Sequence, residues 1–217
     1  MSLSRRQFVG RVVGAASALS LSSPLLAQVP GKDFVAIRPP QPTDVPGKIE
    51  VIEFFHYGCP HCNHFHPLLT QWAARLPADV VLRKIPVTFG GNPALVNLAK
   101  LFYTLEALGK LAELDGEVFK AFHAENLRNL PEERVMQEWA VKKGVDGKKF
   151  AETFASFGVM SKVKRAEQVA RNYRNDGVPS LIVDGKYQVV SQEQQAAMLA
   201  VTDKLIAQVR AETAGKK

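Results

Sequence analysis

A chain of 217 residues with 46% hydrophobic composition is long enough to bury a sizeable core and too apolar to be a disordered tail. Its 28 basic residues exceed its 21 acidic ones by +7; three of the arginines, Arg5, Arg6 and Arg11, crowd the extreme N-terminus, and without them the excess is +4. With no long basic run elsewhere, this mild balance argues against a specific nucleic-acid partner.

The early arginines lead into an apolar stretch from Val12 to Leu26 that ends at the small residue Ala27. That order predicts a cleaved export signal over residues 1–27. A membrane anchor fits less well, because the stretch is shorter than the roughly 20 residues a bilayer span requires and is interrupted by Ser17, Ser20, Ser22, Ser23 and Pro24. Ser4-Arg5-Arg6-Gln7-Phe8 also resembles a twin-arginine signal, so the ordinary and the twin-arginine routes both stay open.

Residues 28–47 contain Pro30, Pro39, Pro40, Pro42 and Pro46, which predicts an extended lead-in with at most one short strand around Phe34–Ile37. The β-branched and aromatic run Ile49–Phe55 predicts a strand covered on both faces. Cys59-Pro60-His61-Cys62 follows it, and Phe65, Leu68, Leu69 and Trp72 continue at helical spacing to about Leu76. Pro60 suits the first helical turn, whereas Pro67 should kink the helix.

The chain holds only two cysteines, three positions apart. A bridge between them would constrain almost no chain entropy, so reactivity explains the pair better than stability does. At a helix start, Cys59 meets unpaired backbone N–H groups and the positive end of the helix dipole, both of which favour a thiolate. Cys59 is expected to be exposed and Cys62, one turn deeper, shielded. His61 can offer a ring N–H or a positive charge to the Cys59 sulfur. A stabilised thiolate favours the dithiol and makes the disulfide oxidising. The rival reading is a zinc site of Cys59, Cys62, His64 and His66; on a helix the two histidines point about 200° apart, which prevents convergence. His56, His64, His66 and His123 otherwise read as ordinary polar or half-buried side chains.

Val80–Phe89 returns to strand character. From about Asn92 to Arg174 the period becomes helical: Leu95, Leu98, Ala99, Phe102, Leu105 and Leu108 form one apolar stripe. Further helices are predicted over about 116–126, 132–143, 150–157 and 162–175. Ser180–Val183 and Lys186–Val190 flank Asp184-Gly185, a hairpin signal, and a last helix is predicted over about 192–212. The order describes a mixed sheet interrupted by a block of helices.

Glu53 lies in the most apolar strand, where a carboxylate must be paired, hydrated or shifted in pKa, and Lys84 on the next strand is its candidate partner. The pair can be read as a structural ion pair or as a functional one.

Cys59-Pro60-His61-Cys62 after Ile52-Glu53-Phe54-Phe55, and Gly177-Val178-Pro179 before Asp184-Gly185-Lys186-Tyr187, together resemble the DsbA family of the thioredoxin superfamily over nearly the whole mature chain. The resemblance implies an α/β thioredoxin fold with an inserted all-helical domain, split as 28–90, 91–174 and 175–217. It implies a periplasmic dithiol oxidase whose cofactor is none beyond the Cys59–Cys62 disulfide. It implies a cis Val178–Pro179 bond against that disulfide, with the Val178 backbone pairing to an extended client. Glu53 and Lys84 would lie beneath the cysteines, Glu53 moving a proton to or from Cys62. The implied partners are unfolded cysteine-bearing exported proteins and a membrane quinone-linked reoxidant of the DsbB type, around a monomer. Gly58 before the pair offers little apolar surface and predicts a shallower client groove. A reductase or isomerase of the same fold is the enzymatic alternative; known isomerases resemble dimers with an added N-terminal domain, for which residues 28–47 are too short. A metal-binding or holdase module is the non-enzymatic one.

Overall fold

The structure, a computed structural model, describes residues 30–190 and 194–215; the export segment read over 1–27 lies outside them. The elements run β1 (Phe34–Ala36), β2 (Ile49–Phe55), α1 (Pro60–Ala73), β3 (Val80–Pro86), α2 (Pro93–Ala107), α3 (Leu111–His123), α4 (Glu133–Lys142), α5 (Gly147–Phe154), α6 (Phe157–Asn172), β4 (Ser180–Val183), β5 (Tyr187–Val189) and α7 (Gln195–Ala214). Five strands form one sheet in the order β1-β5-β4-β2-β3, with β2 parallel to β3 and antiparallel to β4. This is the thioredoxin arrangement with α2–α6 inserted between β3 and β4.

Alternation along β2 divides the interior into two cores. Val51 faces Phe65, Leu69 and Trp72 of α1 and Leu205, Ile206 and Val209 of α7. Ile52 and Phe54 face the helical block, with Leu98, Phe102, Val163 and Tyr173. Every β2 residue is buried, including its two glutamates, which face Arg83 and Lys84 of β3. Burying Phe65, Leu69 or Trp72 contributes about 1.5–3 kcal/mol apiece, and Trp72 Nε1 donates to Asp203 Oδ1 at 2.7 Å, fastening α1 to α7.

The differences from the sequence reading lie at element ends. Strand β3 stops at Pro86 rather than Phe89, because Phe89, Gly90 and Gly91 all take positive φ and turn the chain into α2. Helix α3 begins five residues before Gly116, which is interior: a Cβ there would come within 3.3 Å of His66 Nε2, so its absence admits α1. Helices α5 and α6 begin early because Asp146 and Ser156 cap them, accepting from Lys149 N–H and Val159 N–H. Helix α1 runs through Pro67 as one element to Ala73.

Asp184 (φ 52°) and Gly185 (φ 65°) form the left-handed two-residue turn that Asp-Gly announces. Gln41 N–H donates to the Gly185 carbonyl at 3.0 Å, which seats the proline-rich lead-in on the hairpin. A Cβ at Gly185 would fall 2.0 Å from the Gln41 carbonyl oxygen, whereas at Gly144 (φ +82°) nothing lies within 4 Å. Gly144→Ala should therefore cost about 1 kcal/mol from backbone strain alone, and Gly185→Ala at least about twice that; urea denaturation midpoints of the two variants check the ranking.

Candidate active site

Strand β2 delivers the chain through His56-Tyr57-Gly58 to Cys59, which is the N-cap of α1 (φ −84°, ψ 119°) with Pro60 in the first turn. Extended dihedrals at the cap are what a residue before proline prefers. The Cys62 N–H donates to Cys59 Sγ at 3.4 Å, and the Cys59 thiol donates to the Val178 carbonyl at 3.6 Å. The Val178–Pro179 bond is cis, as is Arg38–Pro39. Both cysteines are free thiols.

Cys62 is fully buried, but Cys59, expected to be exposed, is only 7% exposed. The Val178–Pro179 loop lies across its sulfur, and Pro60 and His61 carry the open surface instead.

The two thiols are driven apart in acidity. Cys59 is lowered to about 6, first because the Cys62 thiol donates to it, then through the Cys62 and His61 backbone N–H groups and the His61 charge, all against an opposing burial penalty. Cys62 is pushed far up by burial and by holding its proton toward Cys59. His61 thus acts on Cys59 through its backbone before its ring charge; its carbonyl accepts from Gln195 Nε2 at 2.7 Å, tying the turn to α7.

Beneath the pair, Lys84 Nζ lies 3.6 Å from Glu53 Oε2 but only 2.6 Å from Asp115 Oδ2. The other Asp115 oxygen accepts from the Tyr57 hydroxyl at 2.6 Å, and His66 Nδ1 stands 3.7 Å from the carboxylate. Burial raises Glu53 to about 7, with the Lys84 charge opposing and the Asp115 charge assisting that rise. Burial alone would depress Lys84, but Glu53 and Asp115 outweigh it and hold the ammonium raised. Its Nζ also sits 4.3 Å over the Phe55 ring.

Sequence reasoning named Glu53 and Lys84 and missed Asp115, Tyr57 and His66. The signal was present in α3, where Asp115 falls on the apolar stripe of Leu111, Leu114, Val118, Phe119 and Phe122; an acid on a buried stripe demands a partner. Of the other histidines, His64 is exposed, His123 Nε2 meets the Tyr57 carbonyl at 2.7 Å, and His56 packs on Phe89 with Nδ1 buried and unpartnered. His64 and His66 diverge, and among the described residues no three His, Cys, Asp or Glu side chains gather to hold a metal. The Phe122 ring of α3 lies 3.4 Å from where a Gly58 Cβ would be, so a side chain at this position would press on it. Beside Val178 and Pro179 a groove of about 760 Å³ extends along Ile37, Arg38 and Gln188.

Residues 50–201 match the family described as DSBA-like thioredoxin domain. The thiol:disulfide interchange protein DsbA of Bordetella parapertussis is 42% identical over 199 residues, covering 90% of this chain and 93% of that protein. The crystal structure of Pseudomonas aeruginosa DsbA superimposes with a TM-score of 0.79 at 38% identity, covering 86% of this chain and 96% of that one. That of the oxidoreductase DsbA from Xylella fastidiosa gives 0.77 at 31% identity, covering 85% and 98%.

Two outcomes follow from this geometry. Removing the Cys62 thiol donor by Cys62→Ala should raise the Cys59 midpoint, read by thiolate absorbance, more than removing the ring charge by His61→Ser does; the opposite ranking would place the control in the histidine. For Glu53, folding favours the protonated acid, so stability falls as pH rises from the unfolded value of 4.5 through about 7. Glu53→Gln should remove that decline and stabilise the protein above neutral pH by up to roughly 3 kcal/mol, with little effect near pH 4, because Lys84 keeps Asp115 at 2.6 Å. Denaturant unfolding across that pH range measures it.

Proposed function

The chain belongs to the DsbA family of thioredoxin-fold thiol:disulfide oxidoreductases, and from that membership we propose that its Cys59–Cys62 disulfide is donated to unfolded, newly exported proteins in the periplasm. The observation that carries the reading is the placement of the two thiols: Cys59 caps α1 and accepts the Cys62 N–H at 3.4 Å, which favours its thiolate, while Cys62 is fully buried and holds its proton.

In the oxidised protein a client thiolate attacks Cys59 Sγ, forming the mixed disulfide and expelling the Cys62 thiolate. Buried Cys62 cannot hold that charge and takes a proton. Glu53, whose carboxyl is raised to about 7 and whose charge acts on Cys62, is the proposed source, with Lys84 holding the carboxyl in place. A second client thiolate then attacks the client sulfur and expels Cys59, whose low pKa makes it the better leaving group. Two electrons have passed from the client dithiol to the pair, and the client holds the disulfide. Pro60 sets the turn, His61 adds charge at the mouth, and Val178 with cis Pro179 presents backbone to an extended client. In this division the pieces 28–90 and 175–217 carry the chemistry and the helices of 91–174 cover it. A membrane quinone-linked protein of the DsbB type restores the disulfide of the monomer.

Equilibration against glutathione, read by trapping free thiols over a series of redox ratios, tests the oxidant strength. The pair should be reduced even in mildly oxidising buffer; a pair that stays oxidised under strongly reducing buffer would make the protein a thioredoxin-like reductase. Cys59→Ala should lose all turnover, whereas retained client protection would point to a holdase.

The reduced state should also outlast the oxidised one against denaturant. Because Cys59 is depressed in the folded dithiol, its contribution is fully present above the ordinary value of 9.0 and is lost as pH falls through about 6. The stability gap between reduced and oxidised protein should therefore widen from pH 6 upward, and paired urea titrations at acidic and alkaline pH check it.

A further inference from the structure

Resting on that reading, we propose that Thr88, Asn175 and Arg174 form a subsite beside the cysteine pair that binds an acidic side chain of the client within about three residues of its reacting cysteine. A cavity of about 290 Å³ lies between the turn after β3, Val87 to Gly90, and the end of α6 with the loop that leads to Val178. Thr88 lines it and is 1% exposed, and its Oγ1 has no hydrogen-bond partner. Asn175 lines it too, and both its amide oxygen and its amide nitrogen are buried and unpartnered. A buried polar atom without a partner has lost its water and gained nothing in return. Three such atoms line this one cavity, and two of them, the Thr88 hydroxyl and the Asn175 amide nitrogen, are donors that an accepting group entering it would satisfy.

Arg174 supplies the charge. It sits at φ 50°, in the left-handed region that an arginine adopts only under constraint, and it lines both this cavity and the larger groove that carries Val178 and Pro179. Among the described residues no carboxylate is paired with it. The other charges at the cavity cancel, since Arg171 holds Glu167 at 2.8 Å. A hydroxyl, an amide N–H and a guanidinium all donate, and a carboxylate accepts from all three.

The spacing fixes where that carboxylate lies in the client. Asn175 precedes Val178 by three residues, at most about 10 Å of chain. A client strand paired to Val178 advances about 3.3 Å per residue, so the acid falls within about three residues of the cysteine held opposite Cys59. Phe89, on the same turn as Thr88, packs on His56 just ahead of Cys59, which keeps the cavity on the reactive face.

The test uses dithiol peptides carrying Glu or Gln at each of three positions on either side of one cysteine, oxidised by the purified protein in stopped flow. At one position the Glu peptide should react faster by about five- to tenfold at low salt, fading as salt is added. The Glu-to-Gln ratio should fall toward one in both Thr88→Val and Arg174→Ala. The first keeps side-chain shape and the second changes an exposed residue, and circular dichroism checks that both fold. Equal rates at all positions, or a preference that survives both variants, overturns the subsite while turnover of the Gln peptides still supports the oxidase reading. No oxidation of any peptide overturns that reading and the subsite with it.

Discussion

Cys59 stands where a fully buried strand ends and a helix begins, and the reactive half of the molecule depends on that junction. The cap position leaves the N–H groups of the first turn without backbone partners, and the cysteine sulfur takes one of them from Cys62. The same turn places the Cys62 thiol where it donates to Cys59, so one stretch of helix geometry lowers one thiol and raises the other. Moving the pair a residue along the helix would break both effects at once. The anchoring of α1 matters for the same reason: Phe65, Leu69 and Trp72 are buried against α7 and fix the helix start against β2.

The second constraint is the charge beneath the pair. Two carboxylates, Glu53 and Asp115, share one ammonium, and the closer contact goes to Asp115. A full ion pair between Lys84 and Glu53 would hold Glu53 ionised. With Lys84 drawn toward Asp115, Glu53 keeps only part of that attraction, and burial lifts its carboxyl to about 7. A group poised there can give or take a proton at neutral pH. Tyr57 satisfies the remaining Asp115 oxygen, so the network closes without leaving Asp115 unpaired.

Much of this was legible in the sequence because the determining patterns are local. A strand dominated by β-branched and aromatic residues, a proline in a first helical turn and Asp-Gly between two strands each specify their own geometry, and β2, α1 and the β4–β5 hairpin follow them. Glu53 and Lys84 were readable because they sit opposite each other on adjacent parallel strands. Asp115 was passed over although it falls on a buried helical stripe, because nothing local says that α3 docks beneath the cysteines and brings its carboxylate to Lys84. The exposure of Cys59 was misjudged for the same reason: the loop that covers it arrives 119 residues later. Helix starts at Leu111, Gly147 and Phe157 were misplaced where a glycine read as a boundary or a cap residue went unused.

These long-range contacts also change what the helical block is for. It supplies Asp115 to Lys84, the Phe122 ring over Gly58, and His123 to the Tyr57 carbonyl, three contacts that all land on the segment between β2 and the cysteines or directly beneath it. Gly116 in α3 has no side chain where His66 of α1 approaches, so the two helices meet closely enough for Asp115 to reach the charge network. A thioredoxin-like sheet without the insertion would expose Tyr57 and leave Lys84 with Glu53 as its sole carboxylate among those named, and the Glu53 proton would then be lost at lower pH. The insertion is thus part of the electrostatic design of the site: burial is the main cause of the raised Glu53 pKa, and the Asp115 carboxylate that α3 brings in adds to it.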